Sequence, residues 1–191
     1  MLEVIVATKN SGKLKEIRKI CPNISFKSLV DIGYQDEIVE NGKSFKENAY
    51  IKAKVLSEKY NEIVLADDSG LSVRALNYAP GIYSARFAGD HNDKKNNEYL
   101  IKKLENIEDR YAYFTCSMCL IIPNHEPVFV EEICEGKIVD EARGKNGFGY
   151  DPHFYIEGLD KCMAELSPEE KNQISHRGKA LRKIAKILNS L

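Results

Sequence analysis

The sequence predicts an α/β fold built on a mixed β-sheet, and three observations predict it. Short apolar runs typical of buried strands occupy residues 2–8 and 63–66. Segments with the 3.6-residue periodicity of amphipathic helices alternate with these runs. Two longer strand-like segments, near residues 112–122 and 128–135, are joined by Pro123–Pro127, which is typical of antiparallel strands. Hairpin strands in the second half of the chain therefore favour a mixed sheet over a regular alternation of strands and helices.

The predicted helices are recognised by their caps and by their apolar faces. Ser44-Phe-Lys-Glu47 fits a capping box, in which the serine caps the helix and the glutamate reaches back to the backbone. Ser167-Pro-Glu-Glu170 fits a second capping box, with proline at the first helical position. Apolar faces mark four helices, which carry Leu14–Cys21, Phe45–Tyr60, Leu100–Ile107 and Leu181–Leu188. No linker divides the chain, so residues 1–191 are predicted to form one domain.

Composition and charge exclude several classes of protein. Of the 191 residues, 43% are hydrophobic and 30% are charged, which excludes a disordered or collagen-like chain. No apolar run approaches the ~20 residues of a membrane span, and the N-terminus lacks the features of a secretory signal. With 28 basic and 29 acidic residues the net charge is −1, so we expect no binding to nucleic acid or to membranes. Five cysteines, an odd number, are expected to be reduced thiols in a cytoplasmic protein.

The first candidate site is the predicted strand–turn–helix junction at Thr8-Lys-Asn-Ser-Gly-Lys13. Backbone N–H groups at the start of a helix bind anions, glycine permits close approach, and two lysines add positive charge. The segment is not a P-loop, because that motif requires glycine at Ala7 and serine or threonine at Leu14. It indicates a phosphate site or, alternatively, a capped helix start with solvated lysines.

The second candidate is Asp67-Asp68-Ser69-Gly70, which directly follows the strand predicted at residues 63–66. Two adjacent carboxylates are costly to place together unless a cation lies near them. Proteins bind Mg²⁺ through one or two carboxylates together with substrate phosphates and water. The alternative is an Asx-type turn without a metal. Glu40 is a further acidic residue beside a turn, but its spacing alone indicates nothing.

Two further candidates lie in the second half of the chain. Gly147-Phe-Gly-Tyr-Asp-Pro152 alternates glycine with aromatic residues, which either stack on a flat ring or fill the core. On one predicted helix Lys171 and Ser175 share a face, and His176 and Arg177 follow at its end. Arginine donates hydrogen bonds in a planar fork and histidine donates or accepts them, although a lone histidine is usually structural.

Six segments of the chain resemble one known family and occur in that family's order. They are Thr8-Lys-Asn-Ser-Gly-Lys13, Ser44-Phe-Lys-Glu-Asn-Ala49, Ala66-Asp-Asp-Ser-Gly-Leu71, Ala79-Pro-Gly-Ile-Tyr-Ser-Ala-Arg86, Gly147-Phe-Gly-Tyr-Asp-Pro152, and Ala164-Glu-Leu166 with Ser175-His-Arg177. On these motifs the chain resembles the inosine triphosphate pyrophosphatase family, the house-cleaning enzymes that act on non-canonical purine nucleotides. The resemblance spans residues 2–188.

The resemblance implies a fold, an activity, a cofactor and an assembly. The implied fold is a long mixed sheet flanked by helices, with two lobes and a central active-site cleft. The implied activity is hydrolysis of ITP, dITP and XTP to the nucleoside monophosphate and pyrophosphate. The implied cofactor is Mg²⁺, and the implied assembly is a homodimer.

The resemblance also implies a role for each residue of the matching motifs. Asp68 is the expected catalytic carboxylate and, together with Glu40, the expected metal ligand. The residues expected to bind the triphosphate, the sugar or the purine are Thr8, Lys9, Asn10, Ser11, Gly12, Lys13, Lys52, Ser69, Phe148, Gly149, Tyr150, Asp151, Lys171, His176 and Arg177.

The chemistry of the substrate agrees with these roles. Lysines and Mg²⁺ would offset the negative charge of a triphosphate locally, although the chain as a whole is nearly neutral. Donors on His176 and Arg177 would favour the 6-oxo group of inosine or xanthine over the 6-amino group of adenine. Two alternatives stay open, a nucleotide phosphatase that releases orthophosphate and a non-catalytic nucleotide-binding module.

Overall fold

The computed structural model describes residues 1–191 and contains a seven-stranded sheet and five α-helices. The strands are β1 (Glu3–Val6), β2 (Ser25–Ser28), β3 (Val64–Val73), β4 (Tyr111–Ile121), β5 (Val128–Ile138), β6 (Phe154–Ile156) and β7 (Lys161–Cys162). The helices are α1 (Ser11–Ile20), α2 (Phe45–Tyr60), α3 (Asp93–Lys103), α4 (Pro168–Ile174) and α5 (His176–Leu188). No helix has the length and apolar character needed to cross a membrane.

The sheet is mixed, as the sequence predicts. Its strand order is β2-β1-β3-β4-β5-β6-β7. Strand β1 pairs in parallel with both β2 and β3, whereas β6 pairs antiparallel with both β5 and β7. Residues 122–127, which join β4 to β5, are too few for a parallel crossover, so this pair is the predicted antiparallel hairpin.

The chain packs as two compact units. The first unit comprises residues 1–68, 116–132 and 177–191, and the second comprises residues 69–115 and 133–176. The first unit has two apolar clusters because β1 is buried on both faces. Val4 and Val6 contribute to one cluster and Ile5 and Ala7 to the other, which accounts for the continuous apolar run in the sequence. The second unit has its own core around β4, α3 and β6, in which the rings of Phe114 and Phe154 lie 4.3 Å apart.

Two helix caps confirm the local predictions. Ser44 caps α2 by accepting a hydrogen bond from the N–H of Glu47. The Glu47 carboxylate bonds the N–H of Lys43, one residue before the position that a standard capping box uses. At α4 both halves of the box are present, because Ser167 and Glu170 each accept from the other's N–H.

Three element boundaries differ from the prediction. Strand β3 continues to Val73, so Asp67–Gly70 lie inside a strand; the predicted end of this strand at Ala66 is wrong, and so is the alternative of an Asx-type turn. Strand β2, Ser25–Ser28, has only one apolar residue and carries too little pattern to be predicted. Helix α4 ends at Ile174 and Ser175 is extended, so His176 and Arg177 begin α5 instead of ending the helix of Lys171.

All five cysteines are buried and none belongs to a disulfide, in agreement with the prediction of reduced thiols. They are Cys21, Cys116, Cys119, Cys134 and Cys162.

Candidate active site

The junction between β1 and α1 has the geometry of an anion site. Because Val6 pairs with Leu65 in a parallel register, Thr8 comes level with Asp67 of β3. Asn10 caps the helix by accepting from the N–H of Lys13 at 3.1 Å, and Thr8 Oγ1 accepts from the N–H of Asn10 at 3.0 Å. The first N–H groups of α1, on Ser11 and Gly12, precede any intrahelical bond, and the first turn carries no acidic residue. Both interpretations of the sequence therefore agree with this junction, which is a capped helix start that can also bind an anion.

Asp67 forms ion pairs with two cationic side chains of the protein itself. Its side chain is 2% exposed, and its Oδ2 lies 3.1 Å from Lys13 Nζ and 3.2 Å from Arg177 Nη2. Burial alone would raise the pKa of Asp67, but Lys13, Arg177 and Lys52 outweigh it and hold this pKa well below its ordinary value. Arg177 also donates from Nη1 to Glu16 Oε2 at 2.7 Å. Asp67 is therefore an ionised structural partner of Lys13 and Arg177.

Asp68 has a different environment from its neighbour, because successive side chains of a strand face opposite sides. Its Oδ2 is buried and has no hydrogen-bond partner. Burial raises the pKa of Asp68 to about 6, and the carboxylates of Glu40 and Asp67 add to the rise, whereas Lys52 and Lys13 oppose it. Asp68 is thus a carboxyl group whose charge the protein compensates only in part.

Lys52 of α2 organises the acidic groups around Asp68. Its Nζ lies 2.9 Å from Glu40 Oε1 and donates to the carbonyl oxygen of Asp67 at 2.7 Å. Burial would lower the pKa of Lys52, but the carboxylates of Asp67, Asp68 and Glu40 raise it above its ordinary value. Lys52 therefore stays charged and holds Glu40 within electrostatic reach of Asp68.

This donor set fits a hard divalent cation. The unpaired, buried oxygen of Asp68 is a suitable ligand atom, and Glu40 supplies a second carboxylate. The structure contains no group of three or more His, Cys, Asp or Glu side chains able to hold a metal. Two carboxylates suit a cation such as Mg²⁺, which takes few protein ligands and completes its shell with phosphate oxygens and water.

In the second unit, a buried ion pair shapes the glycine-rich loop. Lys171 Nζ lies 2.8 Å from Asp151 Oδ2, and the two side chains are 6% and 5% exposed. The same Asp151 oxygen accepts a hydrogen bond from the N–H of Phe148 at 3.1 Å. Lys171 Nζ also lies 4.6 Å from the centre of the Phe148 ring. Lys171 therefore covers one part of the Phe148 ring and fixes the loop through Asp151.

The two aromatic residues of this loop differ in their placement. Tyr150 is buried in the core of the second unit and donates from its hydroxyl to the carbonyl oxygen of Ser84 at 2.6 Å. The core-filling interpretation is therefore correct for Tyr150, whereas Phe148 is only partly buried. Gly149 has a positive φ of 63°, a conformation that glycine adopts readily.

His176 and Arg177 are neighbours in sequence but have separate surroundings. His176 is buried and stacks on Phe114, with ring centres 4.8 Å apart. Arg177 is 1% exposed and directs its guanidinium at the carboxylates of Asp67 and Glu16. Contact of either residue with a purine stays a prediction, and the ion pairs show a structural role for Arg177 in addition.

The remaining predicted residues lie in accessible or partly accessible positions. Ser69 follows Asp68 directly in β3, and Lys9 is exposed in the turn before α1. Four further residues hold the site and were not predicted, namely Glu16, Asp67 as an ion-pair partner, Asp93 and Asn97. Lys13 and Glu16 lie one turn apart on α1, a spacing that could have indicated Glu16.

A comparison with known protein families shows to which family this chain belongs. The profile of the Ham1 family matches residues 4–187. The chain belongs to the Ham1 family. A relative from Bacillus licheniformis, named dITP/XTP pyrophosphatase, is 50% identical in an alignment of 194 positions that covers 99% of each chain. A relative of the same name from Bacillus subtilis is 46% identical in an alignment of 195 positions that covers 100% of this chain and 98% of the relative.

Solved structures of Ham1 proteins share the fold. The Ham1 protein of Staphylococcus aureus superposes with a TM-score of 0.89 at 41% identity, covering 98% of both chains. A HAM1 protein from Coxiella burnetii superposes with a TM-score of 0.90 at 40% identity over 100% of both chains. The comparisons confirm the family resemblance and the mixed sheet flanked by helices.

Proposed function

We propose that this chain hydrolyses non-canonical purine nucleoside triphosphates, namely dITP, XTP and ITP, to the monophosphate and pyrophosphate. The names of its close Ham1-family relatives support the substrate class. One structural observation carries the catalytic assignment, which is the contrast between the two aspartates of β3. Asp67 forms ion pairs with Lys13 and Arg177 and its pKa is lowered, whereas Asp68 forms no ion pair and burial raises its pKa to about 6.

The first unit supplies the groups for the polyphosphate. The N–H groups at the start of α1 and the ammonium groups of Lys9 and Lys13 bind phosphate oxygens. Lys13 also contacts Asp67, so its position is fixed before the substrate arrives. A site that is ordered before the substrate arrives loses little conformational entropy on binding.

We propose that Asp68 and Glu40 hold Mg²⁺. When bound, Mg²⁺ neutralises charge on the phosphate oxygens and on the leaving group. Asp68 is also the carboxylate of this site that could orient or deprotonate the attacking water molecule. Lys52 keeps Glu40 in place through its 2.9 Å ion pair.

We assign the purine to the loop of the second unit. Phe148 is the partly buried aromatic ring of this loop, and stacking of a base on an aromatic ring contributes about 1–3 kcal/mol. The Asp151–Lys171 ion pair holds the backbone next to that ring. His176 of the same unit is the proposed donor to the 6-oxo group.

An assay of reaction products tests the proposed function. The protein is incubated with dITP, XTP, ITP, dGTP and dATP in the presence of Mg²⁺, and the products are separated by ion-exchange chromatography. We expect pyrophosphate and the monophosphate from dITP, XTP and ITP, with much slower turnover of dGTP and dATP. Orthophosphate as the first product would instead indicate a phosphatase, and tight binding without turnover would indicate a nucleotide-binding module.

The resemblance to the inosine triphosphate pyrophosphatase family also supports a homodimer in the cytoplasm. Five free cysteines agree with a reducing compartment. Sedimentation equilibrium at micromolar concentration tests the assembly, and a mass equal to the 21.7 kDa of one chain would contradict it.

A further inference from the structure

The backbone of Gly149 is held on both sides by one helix. Its N–H donates to Asp93 Oδ2 at 2.8 Å, and its carbonyl oxygen accepts from Asn97 Nδ2 at 2.9 Å. Asp93 and Asn97 are four residues apart on α3 and therefore lie on the same face of the helix. One edge of α3 thus contacts both polar groups of a single loop residue.

Gly149 is the point of the glycine-rich loop that most requires external support. Its φ of 63° is left-handed and it belongs to no strand, so no sheet ladder supports its backbone. Tyr150 and Asp151 anchor the next part of the loop through Ser84 and Lys171. The bonds from α3 therefore hold the residue between the Phe148 ring and those anchors.

The helix itself is fixed relative to its surroundings in the second unit. Asn96, which is 2% exposed, accepts from the N–H of Ala88 at 2.8 Å and donates to the carbonyl oxygen of Ala85 at 3.0 Å. Leu100 of the same helix is fully buried in the core. Asp93 and Asn97 consequently project from a rigid support.

We propose that Asp93 and Asn97 are positioning residues, which hold the loop in the conformation that presents Phe148 to the purine. This inference rests on the proposed function, because it concerns the loop assigned to the base. Neither residue needs to contact the nucleotide. Their effect is to order the loop before binding, so that the entropic cost of ordering the loop does not reduce the free energy gained from base stacking.

The test compares variants that remove or keep each hydrogen bond. Asp93→Ala removes the acceptor for the Gly149 N–H, whereas Asp93→Asn keeps an acceptor oxygen and should behave like the wild type. Asn97→Asp keeps the size of the side chain but replaces the donor with a carboxylate that faces a carbonyl oxygen. We expect Asp93→Ala and Asn97→Asp to raise KM for dITP about tenfold, with kcat unchanged within about twofold.

A second readout separates base positioning from general damage. Pyrophosphate carries no base, so its inhibition constant as a product should be the same in wild type and variants. The matched controls are Lys94→Ala and Glu98→Ala, which lie on α3 with the same spacing and are 86% and 65% exposed. Both controls should have wild-type KM values for dITP.

The outcomes distinguish the inference from the function on which it rests. An unchanged KM in Asp93→Ala, in an enzyme that releases pyrophosphate from dITP, would overturn the inference alone. Inhibition by pyrophosphate that weakens as much as KM rises would also overturn it, because the phosphate site would then be affected. Wild-type protein that releases no pyrophosphate would overturn the proposed function and the inference together. Asp93 is exposed, so its two variants should fold. They therefore test the inference even if Asn97→Asp lowers Tm.

Discussion

The two neighbouring aspartates of β3 differ in role, since Asp67 is an ion-pair partner and Asp68 is the proposed catalytic carboxylate. Asp67 lies between Lys13 and Arg177, and its pKa is lowered. Asp68 faces the other side of β3, forms no ion pair, and has a pKa that burial raises to about 6. The alternation of side chains along a strand is sufficient to create this difference.

The first prediction concerns the activity of Asp68. Asp68→Asn removes the carboxylate that we propose as cation ligand and catalytic group, and the new side chain has nearly the same shape. We expect kcat for dITP to fall about a thousandfold with the fold intact. Steady-state kinetics and far-UV circular dichroism measure the two effects, with Asp36→Asn on the surface as the control. Turnover of the Asp68 variant at the wild-type rate would contradict the assignment.

The second prediction concerns the dependence of stability on pH in the metal-free protein. An unfolded aspartate has a pKa of about 3.9, so the folded state, in which the pKa is about 6, binds more protons between these values. The contribution of Asp68 to the free energy of unfolding of the wild type should therefore fall as the pH rises through this window. Asp68→Asn lacks this contribution and should become more stable than the wild type by up to about 3 kcal/mol at pH 7. Urea titrations in chelator at about pH 4 and about pH 7 measure it, and parallel profiles of the two proteins would contradict it.

The third prediction concerns the buried guanidinium of Arg177. Arg177→Ala leaves Asp67 with one cation fewer and removes the partner of Glu16. We expect a loss of about 3–5 kcal/mol in the free energy of unfolding, because breaking a buried ion pair leaves uncompensated charge. Arg177→Lys retains the charge but not the fork, and should lose less. A change below about 1 kcal/mol in the alanine variant would show that the ion pairs contribute little.

At the scale of elements, the glycine-rich loop depends on close approach as well as on backbone freedom. Gly147 and Gly149 both have positive φ angles, 72° and 63°. A Cβ built at Gly147 would overlap the carboxylate of Asp151, whereas one at Gly149 would meet nothing within 4 Å. Substitutions at the two positions therefore distinguish a steric clash combined with backbone strain, at Gly147, from backbone strain alone, at Gly149.

The fourth prediction follows from this difference. Gly149→Ala should cost only the strain of a left-handed alanine, about 1–2 kcal/mol. Gly147→Ala should cost that strain and also displace Asp151 from Lys171, so its loss of stability should be larger by about 2 kcal/mol. Thermal and urea unfolding of the two variants measure the effect. Equal losses would show that the Asp151 carboxylate can move freely.

The sequence predicts those elements whose signals are local. The caps at Ser44 and Ser167 and the apolar faces of the helices are confirmed because each signal lies within a few residues. The full length of β3 could not be predicted, because Asp67–Gly70 have the composition of a turn and neighbouring strands keep them extended.

The motifs locate the candidate site residues, but they do not show how those residues pair. Arg177 and Glu16 are 161 positions apart, and Arg177 and Asp67 are 110 positions apart. No periodicity in the sequence connects such distant charges, so only the fold shows which aspartate is neutralised. For the same reason the sequence does not indicate that Asp93 and Asn97 hold Gly149.

At the scale of the whole molecule, a net charge of −1 conceals a strongly local arrangement of charge. Lys13, Lys52 and Arg177 meet Glu16, Glu40 and Asp67 within the first unit. A polyanionic substrate with its own divalent cation suits such a site, because the surplus acidic group, Asp68, would be neutralised on binding.

The fifth prediction concerns removal of the cation from the whole enzyme. We expect EDTA in excess to abolish release of pyrophosphate from dITP, and added Mg²⁺ to restore it fully. Ca²⁺, which is larger and less demanding in geometry, should bind without comparable turnover. Full turnover in chelator would remove the two-carboxylate cation site from the mechanism.

The burial of every cysteine gives the folded chain thiols that react slowly. Burial raises the pKa of Cys116 and of Cys119 to about 12 and that of Cys21 to about 11, so the reactive thiolate is scarce at neutral pH. Cys21 and Cys116 lie in the first unit, whereas Cys134 and Cys162 lie in the second. The rate at which each cysteine is alkylated, measured by peptide mass spectrometry, would therefore report the opening of each unit separately, without any engineered label.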